Sequence, residues 1–252
     1  MLKAMFHTYR TAGAFVLACP LLFLVPVVPE LVQHVVEYKI GMFSSVADAK
    51  ALENDRLRLL FGSIKVVALL FPGYWVARFA WWGDGARAGA WQAEGVRGYV
   101  PVLIYGVVVN MLGLWVPQLV GGRTGQLLAL GSFPLLLILN ILLSQWVARA
   151  PLGEGDASPS GSVRLVGRDL LWALPFGVIA MLPAMAVHYA LNFLSLGKPL
   201  PAMAALLAID AFYVGYLVAV LCCIPVTITR HAEARAQRRA QASTPGAMAN
   251  AR

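Results

Sequence analysis

Long apolar runs separated by short polar connections dominate the chain. Run length is the informative feature, because about 20 apolar residues in a helix cross a hydrocarbon core of roughly 30 Å. Six runs qualify: about Thr11 to Val28, Leu59 to Trp81, Tyr99 to Val120, Gln126 to Val147, Leu170 to Leu196 and Ala202 to Thr229. Prolines within them, among them Pro26, Pro72, Pro117 and Pro183, are tolerated in a span when neighbouring helices satisfy the freed backbone groups. The pattern predicts an all-α integral membrane protein with six transmembrane helices. Trp75-Val76-Ala77-Arg78 and Trp146-Val147-Ala148-Arg149 close the second and fourth runs, and Thr229-Arg230 closes the sixth. We read this as three parallel-oriented helical hairpins, each entering and leaving on the same side.

The longest polar interruption is the stretch from Glu30 to Lys65. Glu30, Gln33, His34 and Glu37 recur at spacings of three and four, which puts them on one face of a helix. Gly41 can stop that helix, and Ser44 or Ser45 can cap a second one, with Val35, Val36, Ile40, Phe43 and Val46 supplying an apolar side. The expectation is an outer helical cap over about residues 33–58, between the first and second spans. The resulting layout is a six-helix transmembrane domain over residues 1–230 with a flexible cytoplasmic linker at about 150–169. A basic, disordered cytoplasmic tail follows over 231–252.

Composition strengthens the membrane reading. A chain that is 60% hydrophobic and 13% charged, with mean hydropathy +0.72, has too little polar surface to cover a soluble globule. Lys and Arg outnumber Asp and Glu by 20 to 12, a surplus that would suit nucleic acid if it formed a patch. Instead the positive residues flank the apolar runs, so nucleic acid is not expected as a partner. Six of them (Lys39, Lys50, Arg56, Arg58, Arg123 and Lys198) fall on one side, Lys65 lies within a span, and the other thirteen share the side of the N-terminus. That asymmetry places both termini in the cytoplasm. Lys3 and Arg10 ahead of the first run look like the start of a signal peptide, but no small-residue cleavage site follows, so a retained span is expected. An Ala-, Gly- and Arg-rich chain with short loops points to a bacterial cytoplasmic membrane.

Candidate chemistry is sparse. Cys19, Cys222 and Cys223 lie in apolar runs without metal-ligand spacing. The connection from Gly83 to Gly98 matches no phosphate-binding or dinucleotide fingerprint, and Arg87, Trp91 and Arg97 are expected at headgroup level. Within the spans, Lys65, His188, Asn192 and Asp210 would all lie toward the outer side, and isolated charges there are costly unless they face protein or water. Comparable depths suggest an ion pair between Lys65 and Asp210 with His188 nearby. Asn110 and Asn140 are placed to bond each other within a hairpin. His34 and Glu37, with Glu30, could begin a divalent-metal site, with His188 or Asp210 the only source of another ligand. The zinc-protease motif is missing, so neither a metal, a cofactor nor a catalytic residue is assigned.

The candidate polar site or intramembrane network is therefore Glu30, Gln33, His34, Glu37, Lys65, His188, Asn192 and Asp210. Three functions fit. A membrane scaffold or accessory protein ranks first, because six spans without catalytic motifs require nothing more. A transporter or small-molecule- or lipid-binding protein with an outward-facing polar pocket ranks second, and a membrane-embedded enzyme third. The lipid bilayer is the expected partner, with anionic lipid at the cytoplasmic face and a protein partner on the outer cap or the tail as further candidates.

Overall fold

The computed structural model describes residues 1–155 and 157–242, which form α-helices and one 3-10 turn without any strand. The helices are α1 (Leu2–Ala18), α2 (Pro20–Lys39), α3 (Val46–Ala51), α4 (Arg56–Leu70), α5 (Gly73–Trp82), α6 (Gly85–Gly89) and α7 (Ala93–Val120). They continue with α8 (Gly122–Leu142), α9 (Ser144–Arg149), the 3-10 turn Ala150–Leu152, α10 (Pro159–Gly167), α11 (Leu170–Ser195) and α12 (Leu200–Ala242). Six segments among the described residues are long and apolar enough to cross a membrane: Pro20–Lys39, Arg56–Trp82, Ala93–Val120, Gly122–Leu142, Leu170–Ser195 and Leu200–Ala242.

The first of these does not fall where hydropathy alone puts it. The expected run from Thr11 to Val28 is split at Cys19, whose φ of −131° and ψ of 55° leave the helical region. Pro20 is the cause: a proline disfavours helix at the residue before it and suits the first position of a new helix. The segment ahead of the break, α1, packs against α12, α2, α5 and α11. The second span also has a proline break, at Pro72, between α4 and α5. There the Tyr99 hydroxyl donates to the Leu70 carbonyl at 2.6 Å, satisfying an acceptor next to the break. Gly73 makes room for it, since a Cβ at that position would meet the Tyr99 oxygen at 2.2 Å.

Three further expectations are corrected. The expected linker contains helix among its described residues: after the 3-10 turn at Ala150–Leu152, Ser158 accepts from the Gly161 amide and Pro159 opens α10, an N-cap followed by a proline at N1. The tail is helical as far as Ala242. Its sequence HAEARAQRR is rich in helix formers, and His231 and Arg235 both bond the Asp169 carboxylate at the start of α11. The rest of the expected tail, residues 243–252, lies outside the described residues. Asn110 and Asn140 do not bond each other: Asn110 donates to the Gly106 carbonyl of its own helix, and Asn140 accepts from the Tyr105 hydroxyl.

Helix α12 is the packing centre, in contact with α11, α2, α1, α9 and α5. Its most apolar stretch is 61% buried, against 11% for α7 and for α8, which pack on each other at the edge. Gly215 lets α12 approach α2 closely, because a Cβ there would stand 2.6 Å from Phe23 and 2.9 Å from Val27. At about 1.5 Å per residue the 43 residues of α12 extend roughly 64 Å, about twice a hydrocarbon core.

Candidate functional site

The site begins with the inverted amphipathicity of α2. Glu30, Gln33, His34 and Glu37 are buried on one face, while Val28, Val32 and Val35 are exposed on another. A helix that hides its polar side and shows its apolar side suits a lipid surround with polar groups turned inward. The four residues form one face, as their spacing predicts.

Three other helices bring polar groups to that face. Lys65 comes from α4, His188 and Asn192 from α11, and Asp210 from α12. The C-terminal ends of α2 and α11 and the N-terminal ends of α4 and α12 lie toward the same end of the bundle. Glu30, Lys65, His188 and Asp210 therefore sit about 10 to 15 Å from those ends, at 1.5 Å per residue. The connection after α2 turns at Gly41, with φ of +87°, and Ser45 caps α3 by accepting from the Asp48 amide. That connection is tied to the α11–α12 turn by the Gly197 amide, which donates to the Phe43 carbonyl at 2.9 Å. Phe43 also packs with Leu196, Met203 and Leu207 to form a small apolar cluster beside the site.

Asp210 is fully buried and accepts three hydrogen bonds: from His188 Nδ1 at 2.8 Å, Asn192 Nδ2 at 2.8 Å and His34 Nε2 at 3.0 Å. The other nitrogen of His34, Nδ1, faces Glu37 Oε2 at 3.3 Å. Serving both carboxylates thus takes a hydrogen on each ring nitrogen. Glu37 is held further by Arg58 Nε at 2.9 Å and by Gln33 Nε2 at 3.0 Å. Glu30, 1% exposed, has Lys65 Nζ 3.2 Å from Oε1 and 3.1 Å from Oε2. Only the Oε1 contact has hydrogen-bond geometry, and Oε2 is a buried oxygen without a hydrogen-bond partner. The expected Lys65–Asp210 pair is therefore replaced: Lys65 goes to Glu30, and Asp210 goes to two histidines and an asparagine. Residue depth is readable from a count along each helix, but the direction a side chain takes around its helix decides its partner.

These groups surround a cavity of about 650 Å³. Glu30, His34, Glu37, Arg58, Lys65, His188 and Asn192 line it, with Met42, Phe43, Tyr189 and Phe193 as the apolar part of the wall. Asp210 lies behind His34 and His188 and holds both rings. Gln33 bonds Glu37 and the Arg58 carbonyl and so supports the wall. In the sequence, Arg58 is legible only as a positive charge on one side of the spans. Its place at the site depends on the turn made by α3, which no helical spacing reveals.

A second buried group lies toward the opposite end of the bundle. Arg78 is 0% exposed, and its guanidinium donates to the Arg87, Ala88 and Pro151 carbonyls and to Gln92 Oε1 at 2.9 to 3.2 Å. It also lies over the rings of Tyr74 and Trp82, at 4.9 and 4.5 Å. All four acceptors are neutral, which makes Arg78 a structural clasp joining two connections. Nearby, Arg149 bonds Glu233 and Glu154, and these bonds raise its pKa above the ordinary arginine value against the opposing effect of burial. Burial alone pushes the Cys19 thiol up, consistent with an unreactive apolar role.

Fold and site together define a helical protein with six membrane-length apolar segments and a buried carboxylate–histidine cluster beside a cavity. No family model, curated protein or solved structure matches the chain.

Proposed function

We propose that the chain is a multi-pass protein of a bacterial cytoplasmic membrane that binds a small charged solute in a pocket facing away from the cytoplasm, as a transporter or a ligand-binding membrane protein does. One observation carries this reading: ionisable groups from α2, α4 and α11 converge on one cavity, with Asp210 of α12 bonding the two histidines from behind, instead of pairing off locally along their own helices. Residues that serve only as glue between helices require no cavity, so the scaffold reading gives up first place. Among the described residues the pocket lining includes no Ser, Thr or Cys beside its histidines, which keeps the enzyme reading third.

The orientation rests on the excess of Lys and Arg toward the N-terminal side of the spans. With both termini in the cytoplasm, α3 and its flanking turns become an outer cap beside the pocket. The helices then pair as three hairpins, a layout supported by the contacts of α2 with α4, α7 with α8 and α11 with α12. On the cytoplasmic side, Arg235, Arg238 and Arg239 on the extension of α12 suit contact with anionic lipid headgroups.

Native mass spectrometry of the full chain released from lipid nanodiscs tests the proposal. Wild-type protein is expected to carry a discrete ligand mass that is lost in Asp210→Asn, with the helical circular dichroism unchanged. A bare chain, or the same adduct on both proteins, would contradict it.

A further inference from the structure

The pocket wall contains more than a generic polar surface. One ligand atom each from Glu30, His188 and Asp210 lies within 4.8 Å of the other two. His34 Nε2 is 3.0 Å from Asp210 Oδ2 and 3.6 Å from Glu30 Oε1, which brings a second imidazole to the same place. Glu30 adds a second sign: the residue lines the cavity, and its buried Oε2 has no hydrogen-bond partner and is met only by the Lys65 ammonium at 3.1 Å. Two imidazoles and two carboxylates are a donor set for zinc and its divalent neighbours, whereas magnesium and calcium favour oxygen alone.

Resting on the pocket reading above, we infer that Glu30, His34, His188 and Asp210 form a binding site for a divalent first-row transition-metal ion, with Lys65 as the internal cation that the metal displaces. The ammonium of Lys65 sits against both oxygens of Glu30 and balances that carboxylate inside the protein. A side chain with 22% of its surface exposed can swing toward the cavity mouth when a metal takes over that task. His188 Nδ1 faces Asp210 Oδ1 at 2.8 Å and His34 Nε2 faces Asp210 Oδ2 at 3.0 Å, so metal entry on these two nitrogens replaces the proton on each and releases it to water, while His34 Nδ1 keeps its hydrogen toward Glu37. Asp210 then either ligates through one oxygen or keeps orienting an imidazole, and Asn192 holds its other oxygen at 2.8 Å. Metal–ligand distances of about 2.0 to 2.2 Å need tetrahedral donor atoms roughly 3.3 to 3.6 Å apart, so the widest pair has to close by up to about 1.5 Å. Side-chain rotation can supply that movement next to a cavity.

The test uses the full chain in lipid nanodiscs, stripped with chelator and titrated with Co²⁺ alone, whose visible d–d absorption reports the coordination directly. One Co²⁺ per chain is expected, bleached by added Zn²⁺. His188→Ala should weaken binding by about tenfold or more. Lys65→Met should strengthen it severalfold, because the competing cation is gone, and an unfolded variant cannot produce that gain. The absence of saturable one-to-one binding, or a Co²⁺ affinity untouched by both substitutions, would overturn the metal site. An organic adduct in the native mass spectrum together with no Co²⁺ binding would remove this inference and leave the pocket reading standing.

Discussion

A carboxylate buried at membrane depth stays in place only if other groups hold it, and Asp210 has three of them. Arg78 is the positive counterpart, held by neutral acceptors alone. Replacing Arg78 with alanine strands four acceptors and opens a cavity, so a loss of at least about 3 kcal/mol is expected. Thermal unfolding in nanodiscs measures it. Arg78→Lys should recover little, because a single ammonium cannot serve acceptors spread around a planar fork. A lysine variant as stable as wild type would show that charge, and not the fork, holds the two connections. The roles of these residues were only partly legible in the sequence. The spacing of Glu30, Gln33, His34 and Glu37 disclosed a polar face, and counting along the spans set Lys65, His188 and Asp210 at similar depth. The actual partners depend on rotation about each helix axis, which neither count contains. Arg78 looked like any arginine at a helix end, since its acceptors lie 9 to 73 residues away.

Element boundaries followed run length where the chain has no break and failed where proline intervenes. The third and fifth spans begin and end within a few residues of their apolar runs, apart from the earlier start of α7. The first was misplaced because a hydropathy window takes no account of the Cys19–Pro20 junction, where φ and ψ reset. Local signals in short elements were readable: the stop at Gly41 and the Ser45 cap both follow from side-chain chemistry. The contact between α2 and α12 was not, although it sets the site. Gly215 permits that approach one to two turns from Asp210. Gly215→Val should force Phe23 and Val27 aside, cost about 1 to 3 kcal/mol and separate His34 from Asp210. A lower melting temperature together with loss of the bound ligand is the expected result. An unchanged melting temperature would mean that the two helices have slack at this level.

At the scale of the whole molecule, the bundle has one well-buried helix, α12, whose first half supplies Asp210 to the back of a polar pocket lined by α2, α4 and α11. The second half of α12 continues past the apolar segment and is fastened at Asp169. This gives the chain a long axis with a polar pocket near one end and a basic helix at the other. Such an arrangement requires water to reach groups that lie beneath the membrane surface on the side opposite the tail. Labelling of single cysteines in a cysteine-free chain, with a membrane-impermeant maleimide applied to intact cells, tests this most directly. Ala186 lines the pocket, while Val187 sits at the same depth outside it and Gln237 is exposed on the basic end of α12. Ala186→Cys should be labelled from outside, Val187→Cys should stay unlabelled, and Gln237→Cys should react only after the membrane is opened. External labelling of Gln237→Cys, or an Ala186→Cys protected from the reagent on both sides, would contradict the account.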